Sequence, residues 1–307
     1  MDEHDKNPLT REALHWFAVL RDDEASSDDR AAFEEWRNRS ADHEAAWQRA
    51  EALWSAFSPV EAEIRQARRR KLGRRAFMAS GVAALAAGPA AYWLRQAGAF
   101  ADFRTGPGER RSFSLADGST VELGGRSAAS QDYTSASRGL TLHRGEAYFT
   151  VVDEPGRPIV VTAGGGETTA LGTRFNIHLA EDYVTVTVAE HSVEVALAGR
   201  APQELAQGWQ LSYSGGELGT AIEADLSVVE AWRRGRLIYH GAPLWRVLDD
   251  IERHRGGIIL LMSGRLGTVP VSAAFDTASA DAALDTIAGM LPLRVVRAGG
   301  IVFLYEA

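Results

Sequence analysis

The chain has 307 residues, no cysteine and a formal net charge of −8. That length leaves room for two or three domains of roughly 100 to 150 residues each, and an apolar content of 45% excludes wholesale disorder. The missing thiols exclude disulfides, thiol catalysis and cysteine metal sites together, and the acidic balance argues against nucleic acid as a partner.

Through Glu63 the chain carries sixteen acidic against seven basic residues, a charge suited to a basic partner. Met1 to Arg11 is charged and has no apolar stretch, so no secretory signal is expected there. Three helices are predicted in this head. The first runs from about Pro8 to Leu20, with Asn7 as N-cap, Pro8 at the first helical position, and Leu14, Trp16, Phe17 and Leu20 as its apolar side. The second starts at Ser27, with Asp28 and Asp29 in its first turn and Phe33 and Trp36 three apart. The third starts at Ser40 and carries Trp47, Ala50, Trp54 and Phe57 at helical spacing. Four of the eight tryptophans fall here, so aromatic area must form much of the core of a small bundle. A unit of this size buries little surface by itself, which leaves part of that area for a partner.

A basic block follows (Arg65, Arg68, Arg69, Arg70, Lys71, Arg74, Arg75), then the uncharged run Ala76 to Leu94. At about 1.5 Å per residue, such a helix spans roughly the ~30 Å hydrocarbon core of a bilayer. The basic flank stays in the cytoplasm, which gives a single crossing with the N-terminus inside. Two other readings compete. Ala97-Gly98-Ala99 has the pattern of a signal-peptidase site, which would make the run a cleaved internal signal. The run could also be a buried core helix. Gly73-Arg74-Arg75-Ala76-Phe77-Met78 resembles a twin-arginine export signal, although Arg74 and Arg75 also read simply as part of the positive flank.

From Phe103 to about Tyr213 the hydrophobic period becomes two. Ser112–Leu115 and Thr120–Leu123 flank Asp117-Gly118, a hairpin signal. Leu140–His143, Glu146–Val151, Ile159–Thr162, Phe175–His178, Val184–Val188 and Val193–Val195 continue as short strands of an all-β unit. Gly164-Gly165-Gly166 reads as a loop tip, since no helix follows to make it a phosphate cradle. From Glu230 strands alternate with helices. Arg236–Tyr239, a helix opened by Pro243, Ile258–Leu261, Val269–Phe275, a helix capped by Ser279, Leu293–Val296 and Ile301–Leu304 predict two βαβ units in a small α/β domain.

No catalytic constellation, cofactor motif or metal motif emerges, so the chain is not expected to be an enzyme. The eight histidines are scattered, and His143 and His178 are predicted to face solvent from strands. Asp249-Asp250 and Asp22-Asp23-Glu24 read as solvated faces or caps. His43-Glu44 is followed by Trp47 and is not the HExxH zinc motif.

These residues resemble the FecR family, the transmembrane regulators of extracytoplasmic-function (ECF) sigma factors. In order along the chain, the resemblance rests on Leu115-x-Asp117-Gly118-Ser119-x-Val121-x-Leu123, Gly145-Glu146-Ala147-x-Phe149-x-Val151, Arg157-Pro158-Ile159-x-Val161, Leu171-Gly172-Thr173-x-Phe175-x-Ile177 and Leu205-x-x-Gly208-Trp209. Ala13-x-x-Trp16, Trp36 and Trp47 look like the family's sigma-interacting head. Trp232, Gly235, Leu237, Pro243-Leu244 and Phe275 look like an STN domain. The chain departs at Glu190-His191-Ser192, where the family has a glycine turn. The resemblance implies a multidomain protein in which 1–64 is a cytoplasmic all-α bundle, 65–75 a basic juxtamembrane segment and 76–94 a transmembrane helix. Residues 100–225 would be a periplasmic all-β FecR domain, and 230–307 an STN-like α/β domain. It implies an inner-membrane anti-sigma factor whose partners are an ECF sigma factor, the signalling domain of a TonB-dependent receptor in iron-uptake-type cell-surface signalling, and a regulated protease. Trp16, Phe17, Trp36 and Trp47 are the sigma-contact candidates, provided they are not fully buried. The rival reading is a membrane-anchored periplasmic ligand- or glycan-binding module.

Overall fold

The computed structural model describes residues 9, 12–13, 16, 20, 27–48 and 101–306, except 182 and 299. The predicted span 76–94, the basic flank with Arg74 and Arg75, the Ala97-Gly98-Ala99 site, Phe17 and Trp54 lie outside the described residues. Among the described residues no helix is long and apolar enough to cross a membrane. The chain divides into two units: one comprises residues 1–81, 257–264 and 288–307, the other 82–256 and 265–287.

In the first unit the head forms as its apolar spacing requires. Leu9, Glu12, Ala13 and Trp16 are helical, followed by helices Ser27–Arg37 and 41–48. Ser40 starts the last of these, its carbonyl accepting from the backbone N–H groups of His43 and Glu44. Ala13, Phe33, Trp36 and Ala46 are buried, with Leu9, Trp16, Leu20 and Trp47 packed around them.

The second unit is dominated by a β domain. Its strands are β1 (Phe103–Arg104), β2 (Arg111–Ser114), β3 (Thr120–Leu123), β4 (Ala128–Tyr133), β5 (Arg138–Thr150), β6 (Ile159–Ala163) and β7 (Gly166–Ala170). Then follow β8 (Arg174–Leu179), β9 (Val184–Glu190), β10 (Ser192–Leu197), β11 (Gln203–Ala206), β12 (Trp209–Ser214), β13 (Glu217–Leu218) and β14 (Ile222–Glu223). The main path runs β11-β10-β7-β6-β5-β8-β9-β12-β13. β5 organises it. Its first half pairs with β4 and, in parallel, with β6; its second half pairs antiparallel with β3 and β8. The sequence suggested two strands here, and the structure has one that bends at Gly145. That residue has φ +83°, and a Cβ on it would lie 2.3 Å from Ser127 Oγ and 2.8 Å from Ser127 Cα. Glycine is the only residue that meets both conditions without strain.

The core between the two halves holds Leu123, Phe149, Phe175, Ile177, Val186, Val188, Val195 and Leu211, with the Phe149 and Phe175 rings stacked at 4.9 Å. The Asp117 hairpin is tied into this domain by a fully buried arginine. Arg138 donates to Asp117 Oδ2 at 2.7 Å, to the Arg157 carbonyl at 2.7 Å and to the Val152 carbonyl at 3.2 Å. Burial alone would raise the Asp117 carboxyl, but hydrogen bonds from Ser119 and Arg138 hold it below the usual carboxylate range. Gly172 marks a close approach: a Cβ there would lie 2.7 Å from Asp153 Cβ.

After β14 come the helix Leu226–Val229, a 3₁₀ turn Ala231–Arg234, β15 (Arg236–Pro243) and the helix Leu244–His254. β15 pairs antiparallel with β17 (Pro270–Asp276), setting Leu237 against Phe275. In the first unit, β16 (Ile258–Leu261) runs parallel to β19 (Ile301–Glu306), which pairs antiparallel with β18 (Leu293–Ala298). The element order matches the sequence reading, but the expected paired βαβ units are corrected: neither helix returns the chain to the sheet it left. β15 and β17 alternate buried with exposed residues. Each therefore has one face to bury, whereas parallel βαβ strands are covered on both faces and read as continuous apolar runs.

His191, at the departure from the family pattern, sits at φ +62°. Replacing it with glycine removes a left-handed penalty of roughly 1 kcal/mol, so His191→Gly should raise the melting temperature. Gly145→Ala must displace the Ser127 backbone and should cost more than about 1 kcal/mol. Chemical denaturation of both variants checks the pair.

Candidate functional site

Strand periodicity places Glu146 and Tyr148 of β5, Asn176 and His178 of β8, and Thr185 and Thr187 of β9 on one face, opposite the apolar core. Their register is direct: Glu146 faces His178, His178 faces Thr185, and Asn176 faces both Tyr148 and Thr187. Such a face normally meets water. Here Asn176, His178, Thr185 and Thr187 are buried, because residues 225–254 cover them.

The cover is held in two places. Trp232 donates its indole N–H to Asn176 Oδ1 at 3.2 Å. Arg233 lies over the Tyr148 ring, 3.7 Å from its centroid, and donates to both Glu122 oxygens at 2.5 and 3.2 Å. The helix Leu244–His254 packs by Leu244, Val247, Leu248 and Ile251, all buried at i, i+3, i+4 and i+7. That helix also brings in Asp250 and Arg253. The Arg253 guanidinium donates to His178 Nε2 at 2.6 Å and to Asp250 Oδ1, with Glu146 and Asp249 each 3.9 Å away. The Tyr239 hydroxyl donates to Asp250 Oδ2 at 2.9 Å, and the Asn176 amide donates to Glu146 Oε1 at 2.9 Å. The helix end is docked as well, since the Arg253 carbonyl accepts from the Gly108 N–H at 3.0 Å.

Because Arg253 can only donate, His178 Nε2 accepts, and the imidazole is neutral with its proton on Nδ1. Burial first, and Arg253 second, push His178 down to about 3. The 3.6 Å approach of Asp250 to that ring is therefore not a charged pair. Burial would raise Asp250, but Arg253, Arg246 and the Tyr239 hydrogen bond act together against it and hold the carboxyl below its usual range. Glu146 goes the other way: burial raises it to about 7 against the pull of Arg253. His254 is pushed down to about 4, again by burial and then by Arg253.

His178, Asp249 and Asp250 lie close enough to hold a metal ion. The donor set does not fit one, since the Arg253 guanidinium already occupies the cation position between His178 and Asp250. The sequence expectations that His178 faces solvent and that Asp249-Asp250 is a solvated face are corrected at His178 and Asp250. Both residues are less than one-tenth exposed, because a segment distant in sequence lies over them. His143 stays half-buried, its Nε2 2.9 Å from Ser130 Oγ.

The head is a second candidate surface. Trp36 is interior, 2% exposed, and donates its indole N–H to Glu12 Oε2 at 2.7 Å. Trp16 and Trp47 are half-buried around Phe33, with ring centroids 6.0 and 4.6 Å from it. Of the sequence-chosen aromatics, Trp16 and Trp47 thus keep accessible area, Trp36 belongs to the core, and Phe17 lies outside the described residues. Sequence reasoning missed the Arg253 cluster. Its one visible signal was Asp250 and Arg253, three apart on a strongly amphipathic helix.

The family model described as FecR protein matches residues 101–194, and the model described as domain of unknown function DUF4880 matches 11–53. Two crystal structures of a candidate anti-sigma factor from Parabacteroides distasonis ATCC 8503, at 1.65 and 2.50 Å, share the fold. Each has a TM-score of 0.60 and 24% identity, over 67% of this chain and 98% of that chain. No curated protein matches the chain significantly.

The ionic cluster predicts a pH profile. Above the ordinary histidine value of 6.5 the depressed His178 and His254 contribute fully to stability. Below it the unfolded chain binds those protons first, so the contribution is lost as pH falls toward 4 and 3. Glu146 acts oppositely: above 4.5 the unfolded chain has released a proton that the fold retains, so stability falls as pH rises through about 7. Denaturation across pH 4 to 8 should show His178→Gln flattening the acid limb and Glu146→Gln the alkaline one. Arg253→Met strands buried carboxylates and should cost about 3–5 kcal/mol.

Proposed function

We propose that this chain, a FecR-family protein with a DUF4880 head, is a single-pass inner-membrane anti-sigma regulator, with the head in the cytoplasm and the β and C-terminal parts in the periplasm. The observation that carries this reading is the order of parts. A DUF4880 head at 11–53 comes first, then the uncharged run 76–94 behind its basic flank, then the FecR domain at 101–194. The described structural neighbour is itself called an anti-sigma factor candidate.

In this reading the acidic head holds or releases an ECF sigma factor. Trp16 and Trp47 anchor it, since half-exposed aromatics concentrate interface energy, and Phe17 stands beside Trp16 in sequence. The C-terminal part, 230–307, is STN-like and receives the signalling domain of a TonB-dependent receptor. One membrane helix transmits a large conformational change poorly, so regulated cleavage near the span, or altered assembly, completes the relay. Arg74 and Arg75 fix topology, and the route of export follows from how they are read. The protein is a regulator and not an enzyme.

The sigma factor encoded beside this gene should co-purify with the full chain in detergent and with residues 1–70. Deletion of the gene should change that sigma factor's promoter activity; no binding together with no change in activity would sink the reading. Trp47→Ala should weaken sigma binding at least about tenfold with helix content retained. Trp36→Ala should instead unfold the head, at about 3–5 kcal/mol for a buried tryptophan. Circular dichroism beside the binding assay separates the two.

A further inference from the structure

The space between the polar face of the sheet and its cover is not fully filled. A cavity of about 410 Å³ remains there, within the range of small-ligand sites. It touches the Arg253 cluster at Glu146, His178 and Asp250 and extends beyond it. The sheet adds Thr187 of β9 and Gln210 of β12. The cover adds Arg246 beside the apolar side chains of Val228, Val229 and Leu237.

The polar groups of this lining are not all served by the protein. Arg246 is half-buried in the first turn of the helix Leu244–His254, and its Nε is buried with no hydrogen-bond partner among the described residues. Its charge acts on Glu146, Tyr239 and Asp250, yet it forms an ion pair with neither carboxylate. Asp250 is taken by Arg253 and Tyr239, and Glu146 Oε1 by Asn176. Gln210 is in a similar position. Its Oε1 lies 3.5 Å from Thr187 Oγ1, and its side-chain amide donates to no acceptor among the described residues. Glu146 Oε2 has only the 3.9 Å contact to Arg253 and keeps its capacity to accept. A buried donor without an acceptor costs stability, so such groups are normally met by water or by a ligand.

The cavity therefore offers unused donors and an unused acceptor together, and arginine can only donate. A hydroxyl accepts and donates at once and brings no charge against either Arg246 or the carboxylates. A ring that carries several hydroxyls also has apolar C–H faces, which Val228, Val229 and Leu237 can cover. We propose that this cavity binds a neutral monosaccharide, with Arg246 and Gln210 donating to its hydroxyl oxygens and Glu146 accepting from one of them. The proposal does not depend on what the head binds.

The test is calorimetric titration of the full chain, held in a detergent without a sugar headgroup, with glucose, galactose, mannose and N-acetylglucosamine, and with sodium acetate as an anionic control. At least one sugar should bind, and more tightly than acetate. Arg246→Met and Gln210→Leu should each weaken that sugar about tenfold, the loss of one or two hydrogen bonds, while the sugar-free protein keeps its melting temperature. Glu194→Gln, an exposed position outside the cavity, should leave the affinity unchanged. The proposal fails if no sugar binds at about 10 mM, if acetate binds as tightly, or if neither substitution weakens binding at an unchanged melting temperature.

Discussion

A guanidinium buried between a sheet and a helix must find its counter-charges there, because the interior supplies no water to replace them. Arg253 meets that demand from two directions. Asp250 supplies charge from its own helix, three residues back, while β8 brings His178 as a neutral hydrogen-bond acceptor and β5 brings the Glu146 carboxyl. Tyr239 and Asn176 then satisfy the remaining carboxylate oxygens. The helix cannot shift along the sheet without leaving charges unpaired. The position of residues 225–254 on the β domain is therefore set by hydrogen-bond geometry as well as by apolar area.

This constraint explains why sequence motifs spread along the β region share one structural purpose. Asp117 and the Arg157 carbonyl both serve Arg138. Gly145 lets β5 turn from one set of partners to the other. The next residue, Glu146, joins the Arg253 cluster, and Trp232 closes on Asn176. Two buried arginines thus hold the domain, one inside the sheets and one beneath their cover. Buried ion pairs need not add net stability over an apolar core, so their value here lies in fixing one arrangement.

Much of this was legible in the sequence where one residue's neighbours decide its state. Alternation revealed β8 and β9, Asp117-Gly118 revealed the first hairpin, and helical spacing revealed Leu244–His254. β4 was not visible, because Ala128-Ala129-Ser130-Gln131 carries little strand preference and is a strand only by pairing with β5. β5 read as two strands because glycine interrupts its pattern. The Arg253 cluster was hidden for a sharper reason. Alternation assigns Glu146, Asn176 and His178 to the polar face, and a polar face reads as solvent. Only the arrival of a segment some 50 to 100 residues later turns that face into an interior, and periodicity carries no information about such distant cover.

A relay also needs stiffness in one place and weakness in another. The β domain and its cover are joined by buried or half-buried ionic contacts, Arg253 with Glu146 and Arg233 with Glu122, so a load applied to residues 225–254 reaches β5 and β3 through them. The head is built differently. Among its described residues four are buried, ringed by half-buried apolar and aromatic side chains, and a unit of so few residues holds little area without a partner. On the proposed reading this asymmetry is useful. The periplasmic part stays in one conformation until it is changed as a whole, while the head gains its full burial only when something is bound. Loss of the connection between them, by cleavage or reassembly at the membrane, then changes what the head can hold without requiring the β domain to deform.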